Sequence, residues 1–294
     1  MNIVISDKIE PEVVARIKEL GNVINMPSDL RVALKNADVL IVRSATKVTD
    51  ELLSFGPKLK VVARAGVGLD NVNIGACNKR GIKVLNTPAA SSNAVAELVL
   101  ALIFALSRKI SKADESMKNK IWLKTELTGT EIQGKTLGIV GLGRIGSILA
   151  LKANALGMNI LFYDPHVKSV AFGKEVDMEE LMASSDYISV HIPLLPETRD
   201  LINGAAIARM KKTAFLINTS RGQVVEEEAL YTALSEKKIA GAALDVYATE
   251  PYTGKLCELD NVVLTPHIGG NTHEAQERIG NELVQKLKDV LLEK

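Results

Sequence analysis

Short runs of β-branched and aliphatic residues alternate along this chain with stretches of helical apolar periodicity. The runs predict strands over Asn2–Ser6, Val39–Arg43, Lys60–Arg64 and Ile82–Asn86. Between them, Glu12–Leu20, Asp29–Lys35, Asp50–Ser54 and Ile74–Arg80 read as helices. This alternation predicts parallel sheets joined by crossover helices. Ser92–Arg108 then breaks the rhythm with a longer helical stretch. A second series of strand-like runs follows: Thr136–Val140, Asn159–Tyr163, Tyr187–Ile192, Ala214–Asn218, Gly241–Val246 and Val262–Thr265. Six strands match a complete dinucleotide-binding sheet. A last helix is predicted from Thr272 to about Leu292.

Two proline-marked joints interrupt the pattern, Asn86-Thr87-Pro88 and Thr265-Pro266-His267-Ile268-Gly269-Gly270. They predict a first lobe over 1–90, completed by 269–294, and a second over 91–268. The expected class is α/β, with two doubly wound parallel sheets.

Gly141-Leu142-Gly143-Arg144-Ile145-Gly146 is a G-x-G-x-x-G turn. It follows one predicted strand, opens a helix, and precedes a second strand that ends at Asp164. That context is the Rossmann signature. Gly141 allows the tight turn, Gly143 lets backbone approach a pyrophosphate, and Gly146 permits close helix packing. The helix N-terminus presents N–H groups to the phosphates. Asp164 is placed to accept from the ribose hydroxyls and to repel a 2′-phosphate, which favours NAD over NADP.

A nicotinamide cofactor implies hydride transfer with a partner acid–base group. Of the four histidines, His166 and His273 read as surface residues. His191, in His191-Ile192-Pro193, reads as backbone lining the cofactor site. His267 follows a strand end beside flanking glycines and is the best acid–base candidate. Arg221, Glu250 and His267 each follow one of three successive strands, and such positions converge at the carboxyl edge of a parallel sheet. A carboxylate supports an imidazolium, and a guanidinium can clamp a carboxylate. The trio therefore suits interconversion of a 2-hydroxy acid and a 2-keto acid. The first lobe adds Arg43-Ser44 and the turn Arg64-Ala65-Gly66-Val67-Gly68. Both follow predicted strands, and together they suggest a substrate with more than one anionic group.

Composition narrows the classes. The chain has 294 residues, 36 basic against 35 acidic, a net charge of +1 and 47% apolar residues. Near-neutral charge argues against a nucleic-acid partner, and 5 Phe, 5 Tyr and 1 Trp supply few stacking platforms. Cys77 and Cys257 make no metal or disulfide framework, so no metal is expected. The longest apolar run, Leu98–Leu106, falls short of the roughly 18 residues a membrane span needs, and a cytoplasmic protein is expected.

Several stretches resemble the D-isomer-specific 2-hydroxyacid dehydrogenases: Leu127–Thr136 leading into the glycine turn, Asn218-Thr219-Ser220-Arg221-Gly222, Ala243–Val246 with Glu250-Pro251, and Thr265–Gly270. The resemblance spans essentially the whole chain. It implies a Rossmann NAD-binding domain inserted into a flavodoxin-like substrate-binding domain. It also implies that His267 moves the proton, Glu250 orients it, and Arg221 holds the carboxylate. Gly141, Gly143, Arg144, Ile145, Gly146, Asp164, His191, Ile192, Pro193, Thr198, Asn218, Thr219, Ser220, Asp245, Gly269 and Gly270 are the implied cofactor residues. Arg43, Ser44, Arg64, Ala65, Gly66, Val67, Gly68 and Asn86 are the implied substrate residues.

Ile41–Thr49, Arg64–Val72 and Asn86-Thr87-Pro88 carry a finer resemblance. It implies NAD-dependent oxidation of 3-phosphoglycerate, the first step of serine synthesis, by a homodimer built through residues around 92–130. Only 27 residues follow His267, so no serine-binding regulatory domain is expected. Two alternatives remain open: a reductase of glyoxylate or hydroxypyruvate, and an NAD-sensing scaffold without activity.

Overall fold

Near-continuous apolar runs are what parallel strands buried on both faces require. Val39–Val42, Tyr187–Val190 and Gly241–Leu244 are buried at every position. A computed structural model, which describes residues 1–292, divides the chain into two compact units.

Unit 1 covers 1–92 and resumes at Gly270. Its elements are β1 (Asn2–Ile5), α1 (Pro11–Lys18), β2 (Asn22–Asn25), α2 (Leu30–Leu34), β3 (Val39–Val42), α3 (Asp50–Ser54), β4 (Val61–Arg64), α4 (Ile74–Lys79) and β5 (Lys83–Asn86). The strands are all parallel in the order β2-β1-β3-β4-β5, the flavodoxin-like arrangement. Helix starts carry side-chain caps: Asp29, Thr49 and Asn73 each accept from an amide three residues on. The last helix (His273–Leu292) returns to this unit. Its Ile279, Leu283, Val284 and Leu287 pack with Val13, Val14 and Ile17 of α1 and with Ile3 and Ile5 of β1.

The sequence reading had four strands here and missed β2. That strand, Asn-Val-Ile-Asn, lies at the sheet edge with three of its four residues exposed, so it needs no apolar run.

Unit 2 covers 93–269. Its elements are α5 (Ser92–Arg108), α6 (Ile110–Lys118), β6 (Thr136–Val140), α7 (Arg144–Ala155), β7 (Asn159–Tyr163), β8 (Gly173–Glu175), α8 (Met178–Ser184), β9 (Tyr187–Val190), α9 (Gly204–Ile207), β10 (Phe215–Asn218), α10 (Glu227–Ser235), β11 (Gly241–Leu244) and β12 (Val262–Leu264). The sheet has seven parallel strands, not six, in the order β12-β11-β10-β9-β6-β7-β8. This is the Rossmann order extended by β12. The strand the sequence reading lacked, β8, is the short edge segment Gly-Lys-Glu with two exposed residues. Two separate apolar clusters pack within the unit. The strand order reverses between β6 and β9, and an open parallel sheet binds ligands beyond its carboxyl edge at such a point.

Candidate active site

The turn after β6 is shaped by glycine at three places. Gly141 has φ +93°, and a Cβ on it would sit 2.8 Å from the His191 carbonyl oxygen. A Cβ on Gly146 would collide with the Gly141 carbonyl oxygen, so the first turn of α7 packs where a side chain cannot fit. A Cβ on Gly143 would meet nothing within 4 Å, so this glycine leaves open space beside an N-terminus that no side chain caps. Two buried polar atoms nearby in sequence to the strand ends, His191 Nδ1 and Thr219 Oγ1, have no partner among the described residues. An open glycine, an uncapped helix start and unsatisfied buried polar atoms fit a dinucleotide.

Asp164 follows β7. Its Oδ2 accepts from Leu142 N at 2.8 Å, and its Oδ1 accepts from His166 N at 2.8 Å and Val167 N at 3.0 Å. Burial pushes this carboxyl up, but the amides of His166, Leu142 and Val167 outweigh it and hold it below the usual value. Of the roughly four lone-pair sites on a carboxylate, three are taken and one on Oδ2 remains for a hydroxyl. Lys168 pairs with Glu175 at 2.8 Å.

His191 continues β9, its N–H donating to Val140 O at 2.7 Å. Its Nε2 lies 2.8 Å from Ser189 Oγ. Burial pushes the ring down to about 4, so it is neutral near pH 7. Ile192 packs its side chain against Gly141. The Thr198 hydroxyl works inside its own turn, donating to Pro193 O and accepting from Leu195 N, both at 2.7 Å. It is a turn-former first, which the sequence reading did not anticipate.

At the end of β10, Asn218 knots the following corner. Its Oδ1 accepts from the Ser220 amide and hydroxyl, and its Nδ2 donates to Arg221 O at 2.9 Å. Arg221 Nη1 donates to Ser220 O at 2.6 Å. A Cβ on Gly222 would overlap the Tyr247 carbonyl, so the segment after Arg221 lies directly on the segment that leads to Glu250.

His267 Nδ1 lies 2.9 Å from Glu250 Oε2, and both side chains are part-exposed, at 43% and 38%. The other carboxylate oxygen, Oε1, accepts from Tyr247 N at 3.2 Å. His267 has φ +54°, a conformation that costs a non-glycine residue about 1–3 kcal/mol and needs support from its surroundings. Asp245, 1% exposed, supplies it. Its Oδ1 accepts from Thr265 Oγ1 at 2.6 Å and Ile268 N at 2.8 Å, and its Oδ2 from Gly269 N at 2.8 Å. These donors bracket residue 267. The Tyr247 hydroxyl donates to Leu244 O and Thr265 O. Burial, then the Asp245 carboxylate, pushes it up to about 12, so it stays a neutral donor. The sequence reading missed Tyr247, because it acts through a backbone amide that no motif marks.

Gly270 falls in unit 1, where its carbonyl accepts from Gln276 Nε2 at 2.7 Å. In the same unit, the turn after β4 is tied down by Asn86, whose Nδ2 donates to Val67 O at 2.6 Å, and by Thr87 N, which donates to Gly66 O. The Arg64 guanidinium lies over Gly66, within 2.8 Å of where a Cβ would stand. Ala65 N donates to Val42 O, whereas the amides of Val67 and Gly68 donate to nothing among the described residues. Arg43 and Ser44 open the loop after β3, with Arg43 Nη1 donating to Lys8 O at 3.2 Å. Among the described residues, no group of three or more His, Cys, Asp or Glu is placed to hold a metal, and no helix is long and apolar enough to cross a membrane.

Residues 100–269 match the family model described as "D-isomer specific 2-hydroxyacid dehydrogenase, NAD binding domain". Hydroxypyruvate reductase of Thermotoga maritima is 47% identical over 264 residues, 88% of this chain and 86% of that protein. D-3-phosphoglycerate dehydrogenase of Methanocaldococcus jannaschii is 44% identical over 301 residues, covering 99% of this chain but 57% of that protein. The chain thus spans little more than half of that relative. The structure of D-lactate dehydrogenase from Aquifex aeolicus, complexed with NAD and lactic acid, superposes with a TM-score of 0.88 at 33% identity, over 99% of this chain and 96% of that one.

Proposed function

This chain belongs to the D-isomer-specific 2-hydroxyacid dehydrogenase family of NAD-dependent enzymes, and from that premise we propose that it oxidises 3-phospho-D-glycerate to 3-phosphohydroxypyruvate, a step that opens serine synthesis. The His267–Glu250 pair at 2.9 Å beside the Arg221 corner carries the 2-hydroxyacid chemistry, and similarity to the M. jannaschii D-3-phosphoglycerate dehydrogenase over 99% of this chain supports the phosphorylated substrate. The Gly141–Gly146 turn, Asp164 and the orphaned Thr219 and His191 atoms would hold NAD, which would supply the hydride acceptor. His267 Nε2 takes the proton of the C2 hydroxyl while Nδ1–H stays on Glu250, whose carboxylate stabilises the imidazolium so formed. Tyr247 N keeps Glu250 from turning away. Arg221 holds the substrate carboxylate and polarises the C2 oxygen. Unit 1 offers the Val67 and Gly68 amides, Arg43 and Arg64 as anion-binding groups. The ionised Asp164 disfavours a 2′-phosphate and so favours NAD over NADP.

The T. maritima relative favours a second reading, reduction of hydroxypyruvate, since it is similar over 86% of its own length. A spectrophotometric panel separates the two: 3-phosphoglycerate, hydroxypyruvate, glyoxylate and 2-oxoglutarate, each with both nicotinamide cofactors. Turnover of hydroxypyruvate with none of the phosphorylated acid would replace the first reading by the second. NADH binding without turnover of any acid would leave a cofactor-sensing scaffold.

For assembly, we propose a homodimer through the 92–130 region. Ile110, Met117, Ile121 and Trp122 are all more than half exposed there, Trp122 at 74%. Four large apolar side chains exposed within 13 residues of one segment favour a partner surface there.

A further inference from the structure

The loop that follows β3 is held far more firmly than an exposed loop needs. Asp7, 8% exposed, lies just past β1. Its Oδ2 accepts from Arg43 N at 2.6 Å and Thr46 N at 3.1 Å, and its Oδ1 accepts from Thr46 Oγ1 and, at 3.5 Å, from Ser6 Oγ. From the other side, Asn71 Nδ2 donates to Arg43 O at 2.7 Å and to Thr46 O at 2.6 Å. Residues 43 and 46 are therefore each fixed at both N–H and C=O. Lys8 O also holds the Arg43 guanidinium. Between the fixed ends, Ser44 and Ala45 are exposed, and their amides donate to nothing among the described residues.

We propose that Asp7 and Asn71 are positioning residues that pre-form the Arg43–Thr46 loop, so that Arg43 and the Ser44 and Ala45 amides select a phosphorylated over an unphosphorylated substrate. This rests on the phosphoglycerate reading above. Two unused N–H donors beside a guanidinium suit a phosphate, which offers several acceptor oxygens. Holding the loop in the folded protein means that little ordering is left for the binding step.

The test uses the full chain and steady-state kinetics with 3-phosphoglycerate and with hydroxypyruvate, alongside thermal midpoints. In Asp7→Asn, an NH2 group replaces one acceptor oxygen in front of loop donors. KM for 3-phosphoglycerate should rise about tenfold, the scale of one lost charge-assisted bond, with kcat and the KM for hydroxypyruvate within about threefold. A purely structural role would instead lower the active fraction, and hence kcat for both acids equally. Should Asp7→Asn fail to fold, Thr46→Val removes one donor at nearly constant shape and should shift the same KM selectively by about threefold. Arg43→Ala added to Asp7→Asn should cost less than the two separately, since both disturb one element. Discrimination that is present in the wild type and unchanged in Asp7→Asn and Thr46→Val overturns this inference alone. A wild type that turns over no phosphorylated acid overturns both the phosphoglycerate reading and this inference.

Discussion

Asp245 holds a loop that cannot hold itself. His267 sits at φ +54°, and three donors on either side of it, Thr265 Oγ1, Ile268 N and Gly269 N, converge on the Asp245 carboxylate at 2.6–2.8 Å. In Asp245→Asn, one oxygen can still accept from Thr265 and Ile268, but an NH2 group then faces Gly269 N–H. The side chain is 1% exposed, so water does not replace the lost acceptor. One charge-assisted bond is worth about 1.5–3 kcal/mol. At 1.4 kcal/mol per factor of ten, that corresponds to between about 10-fold and 150-fold if the loop relaxes and His267 leaves its orientation. The assay is kcat, KM for NAD and the thermal midpoint of the purified variant. We expect kcat to fall at least about tenfold with KM for NAD changed by less than about threefold, because the damage is to the orientation of the proton acceptor. The reasoning is refuted by the opposite split. A raised KM for NAD with kcat intact would mean that Asp245 serves the cofactor and that the loop stands without it.

Three further outcomes are expected. His267→Ala should lower kcat by at least about 10²-fold, the usual scale for losing general acid–base help, and near-normal turnover would assign the proton to another group. Gly146→Ala drives a Cβ into the Gly141 carbonyl and should weaken NADH binding, read by fluorescence titration, by at least about tenfold; an unchanged Kd would show that the turn yields. The Asp164 carboxyl is held below its ordinary 3.8 in the folded chain, so its contribution to stability is full above that value and is lost as pH falls through the lower folded value. The thermal midpoint of Asp164→Asn should therefore trail the wild type at pH 7, and the gap should start to narrow as pH falls below 3.8; a gap that widens as pH falls from 7 to 3 would contradict this.

What was legible follows from what a parallel sheet demands. Interior strands such as Val39–Val42 and Tyr187–Val190 are covered on both faces and must be continuous apolar runs. The edge strands β2 and β8 are covered less, carry Asn, Lys and Glu, and leave no such run. The meeting of Glu250 and His267 was legible because each lies on the segment beyond a strand end, and neighbouring parallel strands end side by side. Tyr247, Asn71 and Asp7 were not singled out. Tyr247 acts through its amide, and Asn71 acts on two carbonyls. Asp7 carried the same strand-end signal as Arg43, yet nothing in a sequence says whether such a charge faces a ligand or its own backbone.

Three aspartates in this chain show how that ambiguity resolves. Asp7, Asp164 and Asp245 lie one or two residues past β1, β7 and β11. Each accepts from amides in the loop after the adjacent strand: Arg43 and Thr46 after β3, Leu142 after β6, Ile268 and Gly269 after β12. Parallel pairing makes this a recurring solution, because it sets one strand's end beside its neighbour's loop, whose amides have left the ladder and need acceptors. Lone pairs then separate the roles. Asp7 accepts four bonds, so its roughly four sites are full and it can only shape its loop. Asp164 and Asp245 accept three each and keep about one site on Oδ2. Asp164, part-exposed, alone among the three can both shape its loop and receive a hydrogen bond from a ligand, whereas Asp245, 1% exposed, is closed off. A carboxylate of this kind cannot be replaced without moving the backbone that carries the chemistry. A substitution at Asp164 must therefore be judged by KM and kcat together, never by lost binding alone.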